Sequence, residues 1–171
     1  MNSESVIYYA VDVFEKVLHV SINGIEYKSY DKIADKDIMF AFDPKKNVIY
    51  VNSNLDSLLQ NYSLEYATMT IISKVGHEMR HAWQAMLPIY KSDFENYKNP
   101  KAVDYLSQTI ELDAYAFEEM ICKVLNNDMS CKLDVEDEQI HRLANDLYRQ
   151  YYREVKAALK ENLDSNSNIV S

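Results

Sequence analysis

The run Thr70-Ile71-Ile72-Ser73-Lys74-Val75-Gly76-His77-Glu78-Met79-Arg80-His81-Ala82-Trp83-Gln84 decides how the rest of the chain is read. Ile71, Val75, Met79 and Ala82 recur at three- and four-residue intervals, the period of a helix with one face in a core. On such a helix His77 and His81 lie one turn apart on the same side, close enough to grip one metal ion. Glu78 stands beside them, where a carboxylate can take a proton from water. The pattern His-Glu-x-x-His arises in roughly 0.7% of shuffled chains of this composition, so it is informative but short. Its weight depends on what lies to either side.

Toward the N-terminus, Ser63 can cap this helix, and Glu65 in the first turn suits the positive end of the helix dipole. The apolar stripe runs Leu64, Ala67, Ile71, Val75, Met79, Ala82 and Met86 as far as Pro88, which cannot continue a helix. Asn52 to Tyr62 reads as a polar loop or short helical turn. Before it, Ile38 to Phe42, the turn Asp43-Pro44-Lys45-Lys46-Asn47 and Val48 to Val51 read as an antiparallel hairpin. One of its strands could form a sheet edge that offers backbone donors and acceptors to an extended peptide. Asp31 to Asp37 is a polar connection. Leu18, Val20 and Ile22 alternate with His19 and Ser21, and Asn23-Gly24 leads to Ile25 and Tyr27, the pattern of a first hairpin with His19 on its solvated side. Ser5 to Leu18 carries Val6, Ala10, Val13 and Val17 at helical spacing and reads as a first amphipathic helix.

Toward the C-terminus, Pro88 to Asn99 reads as a loop bearing tyrosines and mixed charge. Asn99-Pro100 supplies a cap and a favoured first helical residue. Tyr105, Leu106, Ile110, Ala114, Phe117, Ile121 and Val124 carry that helix to Asn126-Asn127. Asp134 caps a last helix with Ile140, Ala144, Leu147, Tyr151, Val155 and Ala158 inward and Arg149, Arg153, Lys156 and Lys160 on a solvated face. The expected fold is α+β and mostly helical: a small antiparallel sheet packed on the motif helix, followed by two further long helices. It forms one domain over residues 1–163, with a flexible polar tail at 164–171.

Bulk composition points the same way. A chain of 171 residues, 47% hydrophobic with only two glycines and three prolines, favours long helices and buries a core without staples. The net charge of −9 is spread along the chain, which disfavours nucleic acid and anionic membranes as partners. Met1 to Ser5 lacks the basic start of a signal peptide, and no apolar run has the length of a membrane span. Cys122 and Cys131 are isolated thiols without Cys-x-x-Cys spacing, the usage of a cytoplasmic chain. A monomer is the plain expectation.

Two histidines are half of a zinc site, since catalytic zinc takes three protein ligands and keeps one position open. Glu111, thirty residues after His81 on the next long helix, is the leading third ligand, because short connections make successive helices neighbours. Asp113 faces roughly the opposite side, whereas Glu118, two turns on, shares the side of Glu111. For each of them a solvated carboxylate is the plain alternative, and a site without a third protein ligand stays open.

His77-Glu78-Met79-Arg80-His81 followed by Glu111-Leu112-Asp113-Ala114-Tyr115-Ala116-Phe117 resembles the gluzincin zinc metallopeptidases, and the size is similar to compact ImmA/IrrE-type peptidases. The resemblance covers roughly residues 38 to 125 and is strong only at the two motifs. It implies Zn2+ held by His77, His81 and Glu111, Glu78 as general base, and a protein or peptide substrate. Arg80 stands where many gluzincins have Gly, and Tyr115 where some members carry an orienting Asp. Another group, Asp113 or a backbone carbonyl, must then hold the histidines. Asp113 and Tyr115, with His141 and Tyr148 on the last helix, are candidates for supporting the ligands or binding an oxyanion, as are Tyr90 and Tyr97. Trp83 and Gln84 read as packing and helix-surface residues. The rival expectation is a catalytically silent peptidase-fold module that acts by protein-protein binding through its acidic surface and the 88–99 loop.

Overall fold

Asn2 starts the first helix, α1 (Ser3–Leu18), by accepting the Glu4 N–H on its side chain. The computed structural model describes residues 2–29, 38–96, 108–126 and 138–167, with side chains to residue 160. Along α1, Ile7, Ala10, Val13 and Phe14 are fully buried, so Ile7 rather than Val6 leads the stripe. The helix closes at His19, whose backbone turns left-handed (φ 51°) while the Val20 N–H reaches back to Glu15 O at 3.2 Å.

The expected first hairpin does not form. Leu18 completes α1, and residues 19–23 are in no strand. Their alternation is real, with Val20 buried and His19 and Ser21 exposed, but it belongs to an extended connection lying against the core. Asn23 does not turn the chain back. Its N–H donates to Asn47 O and its Nδ2 to Lys46 O, both at 2.7 Å, while Asn47 Nδ2 donates to Ser21 O at 2.9 Å. This latch sends β1 (Gly24–Lys28) alongside β3 (Val48–Asn52) in parallel.

The second hairpin forms as expected: β2 (Phe40–Asp43) pairs antiparallel with β3, and Asp43 Oδ1 accepts the Lys45 and Lys46 N–H groups in the turn. The sheet order is β1-β3-β2, so the sheet is mixed rather than antiparallel. β1 and β2 are thus the two edges of the sheet, on either side of β3. The Asp31 to Asp37 connection lies outside the described residues. Central β3 buries Ile49 and Val51 completely.

A short helix, α2 (Leu55–Leu59), precedes α3 (Leu64–Ala85), whose cap Ser63 accepts the Tyr66 N–H at 3.2 Å. Helix α3 contacts α1, β2 and the later long helix α5 (Thr109–Leu125), so its middle is buried nearly all round rather than along a stripe. The ends of the expected stripe, Leu64 and Met86, are exposed. Gly76 permits the close approach: a Cβ there would overlap Ile121 Cδ1 and sit 3.1 Å from the Phe14 ring.

The stretch expected as a loop after Pro88 is instead a 3-10 turn (Pro88–Tyr90) and a short helix α4 (Lys91–Glu95). Tyr97, Asn99-Pro100, Tyr105, Leu106, Cys131 and Asp134 lie outside the described residues. Helices α5 and α6 (Glu138–Ser167) are the two further long helices. Helix α6 continues to Ser167, beyond residue 163, where composition places the end of the domain. Ile140, Ala144 and Val155 are fully buried, and Arg149, Arg153, Lys156 and Lys160 are exposed as expected. Phe117 meets Phe14 and Tyr151 edge to face at 5.9 and 5.8 Å, linking α1, α5 and α6. Each such pair adds about 0.5–1.5 kcal/mol beyond its buried area. The architecture is thus α+β and mostly helical. No helix among the described residues is long and apolar enough to cross a membrane.

Candidate metal centre

Full burial of Ile110 and Ala114 fixes the rotation of α5, and that rotation turns Glu111 inward toward α3. Glu111 Oε2 lies 3.6 Å from His77 Nε2, and Glu111 Oε1 lies 3.3 Å from His81 Nε2. One ligand atom from each of the three residues falls within 4.8 Å of the others, and all three residues are buried. Ligands about 2 Å from a tetrahedral ion stand about 3.3 Å apart, so this spacing fits a single small cation.

A buried carboxylate facing two imidazoles is stabilised by a proton on one of them or by a cation shared among all three. Burial opposes the charge of His77, yet Glu111 and Glu118 raise its pKa to about 10. Burial likewise opposes ionisation of Glu111, but the two histidines hold it well below the usual carboxylate range. A metal ion bound there would compete with a proton on His77.

Each imidazole is also held from behind. His81 Nδ1 meets Gln84 Oε1 at 2.9 Å, and Gln84 Nε2 donates to Ile110 O at 3.0 Å and Asp113 Oδ2 at 2.7 Å. Arg80 forks the same Asp113, Nε to Oδ2 at 2.7 Å and Nη2 to Oδ1 at 3.0 Å, and its guanidinium lies 3.8 Å from the Trp83 ring. His77 Nδ1 is 3.1 Å from Glu118 Oε2, near enough for charge attraction though not aligned for a hydrogen bond. Lys74 Nζ sits 2.8 Å from Glu118 Oε1. Against the effect of burial, Lys74 and His77 lower the Glu118 carboxyl to about 2. Ligand histidines ordinarily pass their second nitrogen to such partners, which fix the ring and its tautomer.

Glu78 is half-buried beside the triad. Burial raises its pKa and Glu111 adds to that, while His77, His81 and the Phe42 backbone of β2 pull the other way. The edge strand thus reaches the candidate site. The Tyr115 ring stands 4.6 Å from that of His77, and burial raises its phenol above the ordinary value, which keeps it a proton donor at neutral pH.

The remaining candidates have other partners than the triad. His141 Nδ1 is 2.6 Å from Glu119 Oε2, between α6 and α5, and the Tyr148 ring lies beside Tyr152. Tyr90 packs near Trp83. Arg80 does not disturb the helix packing but anchors Asp113. Two supporting residues escape the sequence reading. Gln84, expected on the helix surface, is fully buried, and Glu118, placed on the side of Glu111 with a solvated carboxylate as the plain alternative, is 2% exposed. The available signal is helical spacing alone: Gln84 follows His81 by three residues and Glu118 follows Glu111 by seven.

Compared with known proteins, the chain matches no family model, no curated protein and no solved structure. Among the described residues, His77, His81 and Glu111 form the one group of three or more such side chains with metal-binding spacing.

Proposed function

We propose that the chain is a zinc-dependent metallopeptidase in which His77, His81 and Glu111 hold the ion and Glu78 is the general base. The observation that carries this reading is the buried triad, with both histidines within 3.6 Å of Glu111 and Glu78 adjoining it. Two imidazoles and a carboxylate are a donor set of catalytic zinc in peptidases. When bound, zinc lowers the pKa of its water toward neutrality and polarises a carbonyl. Glu78 accepts the proton of the attacking water and returns it to the leaving amine. The backbone of β2 at Phe42 favours the Glu78 carboxylate, and Tyr115 would supply a neutral donor beside His77. The sheet, motif helix and two long helices support a minimal gluzincin-like arrangement acting on protein or peptide chains.

Metal analysis with a cleavage assay tests this. Purified protein should carry one equivalent of zinc, lost in His81→Ala, and should cleave an unfolded protein substrate; Glu78→Gln should keep the zinc and lose the cleavage. A native chain with no affinity for zinc overturns the proposal. Zinc retention without turnover in the wild type would instead favour a silent binding module.

A further inference from the structure

Every polar atom of the Gln84 amide is assigned by its surroundings. Ile110 O and the Asp113 carboxylate, at 3.0 and 2.7 Å, can only accept, so the group facing them is the NH2. Oε1 is thereby turned to His81 Nδ1 at 2.9 Å, and that nitrogen carries the ring proton. His81 Nε2 is then the ring nitrogen that faces Glu111 Oε1, 3.3 Å away, on the side where a cation would be shared. Flipping the amide would set donor against donor and acceptor against acceptor around a side chain that is 0% exposed. A second stage secures the first. Arg80 grips both oxygens of Asp113 and is itself clamped on the Trp83 ring, so Asp113 cannot turn away from Gln84.

We propose that Gln84, held by Asp113 and Arg80, is the positioning residue that fixes His81 in its Nδ1–H tautomer and keeps Nε2 ready for a divalent cation. The inference rests on the metal reading of the triad, but it concerns tautomer and affinity and does not require peptidase activity. His77 is backed differently, by the anionic Glu118 with Lys74, so loss of the Gln84 amide acts on one ligand and spares the other.

The test is zinc affinity, measured by competition with a chromophoric chelator, with the melting temperature of the metal-free chain recorded alongside. Gln84→Met keeps the volume and removes the amide, and should weaken zinc binding about 10–100-fold. In a His81→Ala background the same substitution should change the residual affinity by less than about twofold, because it acts through His81. An equal loss in both backgrounds, or no loss in either, overturns the inference. Should Gln84→Met fail to fold, the long-range 1H–15N NMR spectrum of the zinc-loaded wild type decides: His81 must be protonated at Nδ1 and ligate through Nε2, and the reverse overturns the inference. A wild type that binds no zinc defeats the metal reading as well, whereas tight wild-type binding left unchanged by Gln84→Met defeats this inference alone.

Discussion

Helix α3 meets its two helical neighbours on different terms. Toward α1 the seam is apolar, with Gly76 against the Phe14 ring inside a cluster that includes Ile7, Val13, Ile71 and Val75. Toward α5 it is mixed: Gly76 also packs on Ile121, but His77, Arg80, His81 and Gln84 on α3 meet Glu111, Asp113 and Glu118 on α5. Apolar contact is non-directional and tolerates small shifts, whereas a buried ion pair or amide needs fixed geometry and is often less stabilising than a hydrophobic replacement. Stability alone therefore explains the first seam and not the second. The concentration of costly groups on one side of one helix is what the proposed site would require.

Removing a ligand should break the polar seam most severely. Glu111→Ala should abolish stoichiometric zinc by metal analysis and leave no cleavage above background, while the apolar seam keeps the helical circular dichroism. Glu78→Gln should retain zinc and lower turnover about 10²–10⁴-fold, measured at saturating substrate. Asp113→Leu alone should destabilise the metal-free chain by about 3–5 kcal/mol in urea melts, because Arg80 is left buried without its partner. Arg80→Met combined with Asp113→Leu should recover that loss while zinc affinity stays weak; a double variant as unstable as the single would show that the pair is there for stability after all.

On the apolar side the effects are smaller. Gly76→Ala should cost about 1–3 kcal/mol, since Ile121 must swing aside and Phe14 stands behind it. Tyr9→Phe should cost about 1 kcal/mol by removing the hydrogen bond to Leu159 O. It should also change the alkaline limb of stability. Burial pushes the Tyr9 phenol from 10 up to about 12, so its contribution is complete below pH 10 and is lost as pH rises through 12. Melts of Tyr9→Phe across that window should fall less steeply than those of the wild type.

What the sequence discloses follows the same division. Periodicity exposes α3, the β2–β3 hairpin and the inward faces of α5 and α6, because apolar spacing reports directly on which side is buried. Helical register also brings Glu111 to His77 and His81. Alternation over Leu18 to Ile22 misleads, because it records half-burial and does not name a partner; the asparagine latch between Asn23 and Asn47 depends on contacts 24 residues apart. Gln84 and Glu118 stay hidden for a related reason. A polar side chain in a helix is ordinarily solvated, and only its neighbours on another helix make burial affordable. Arg80 is a departure from the family pattern on its own, and its role shows only in its fork to Asp113, which the sequence offers as a support for the histidines.

The Tyr9–Leu159 hydrogen bond spans 150 residues, and it bears on how the protein is made. At about 5–20 residues per second, a ribosome adds Leu159 some 2–10 s after Glu111. On the zinc reading, both histidines and the carboxylate are synthesised while the last wall of the bundle is still missing. Metal capture and closure by α6 are then competing events in the nascent chain. Stalling synthesis where α5 has left the ribosome but α6 is still inside it, and measuring zinc uptake, would decide their order, and a stalled chain that takes up none would mean that α6 must close first.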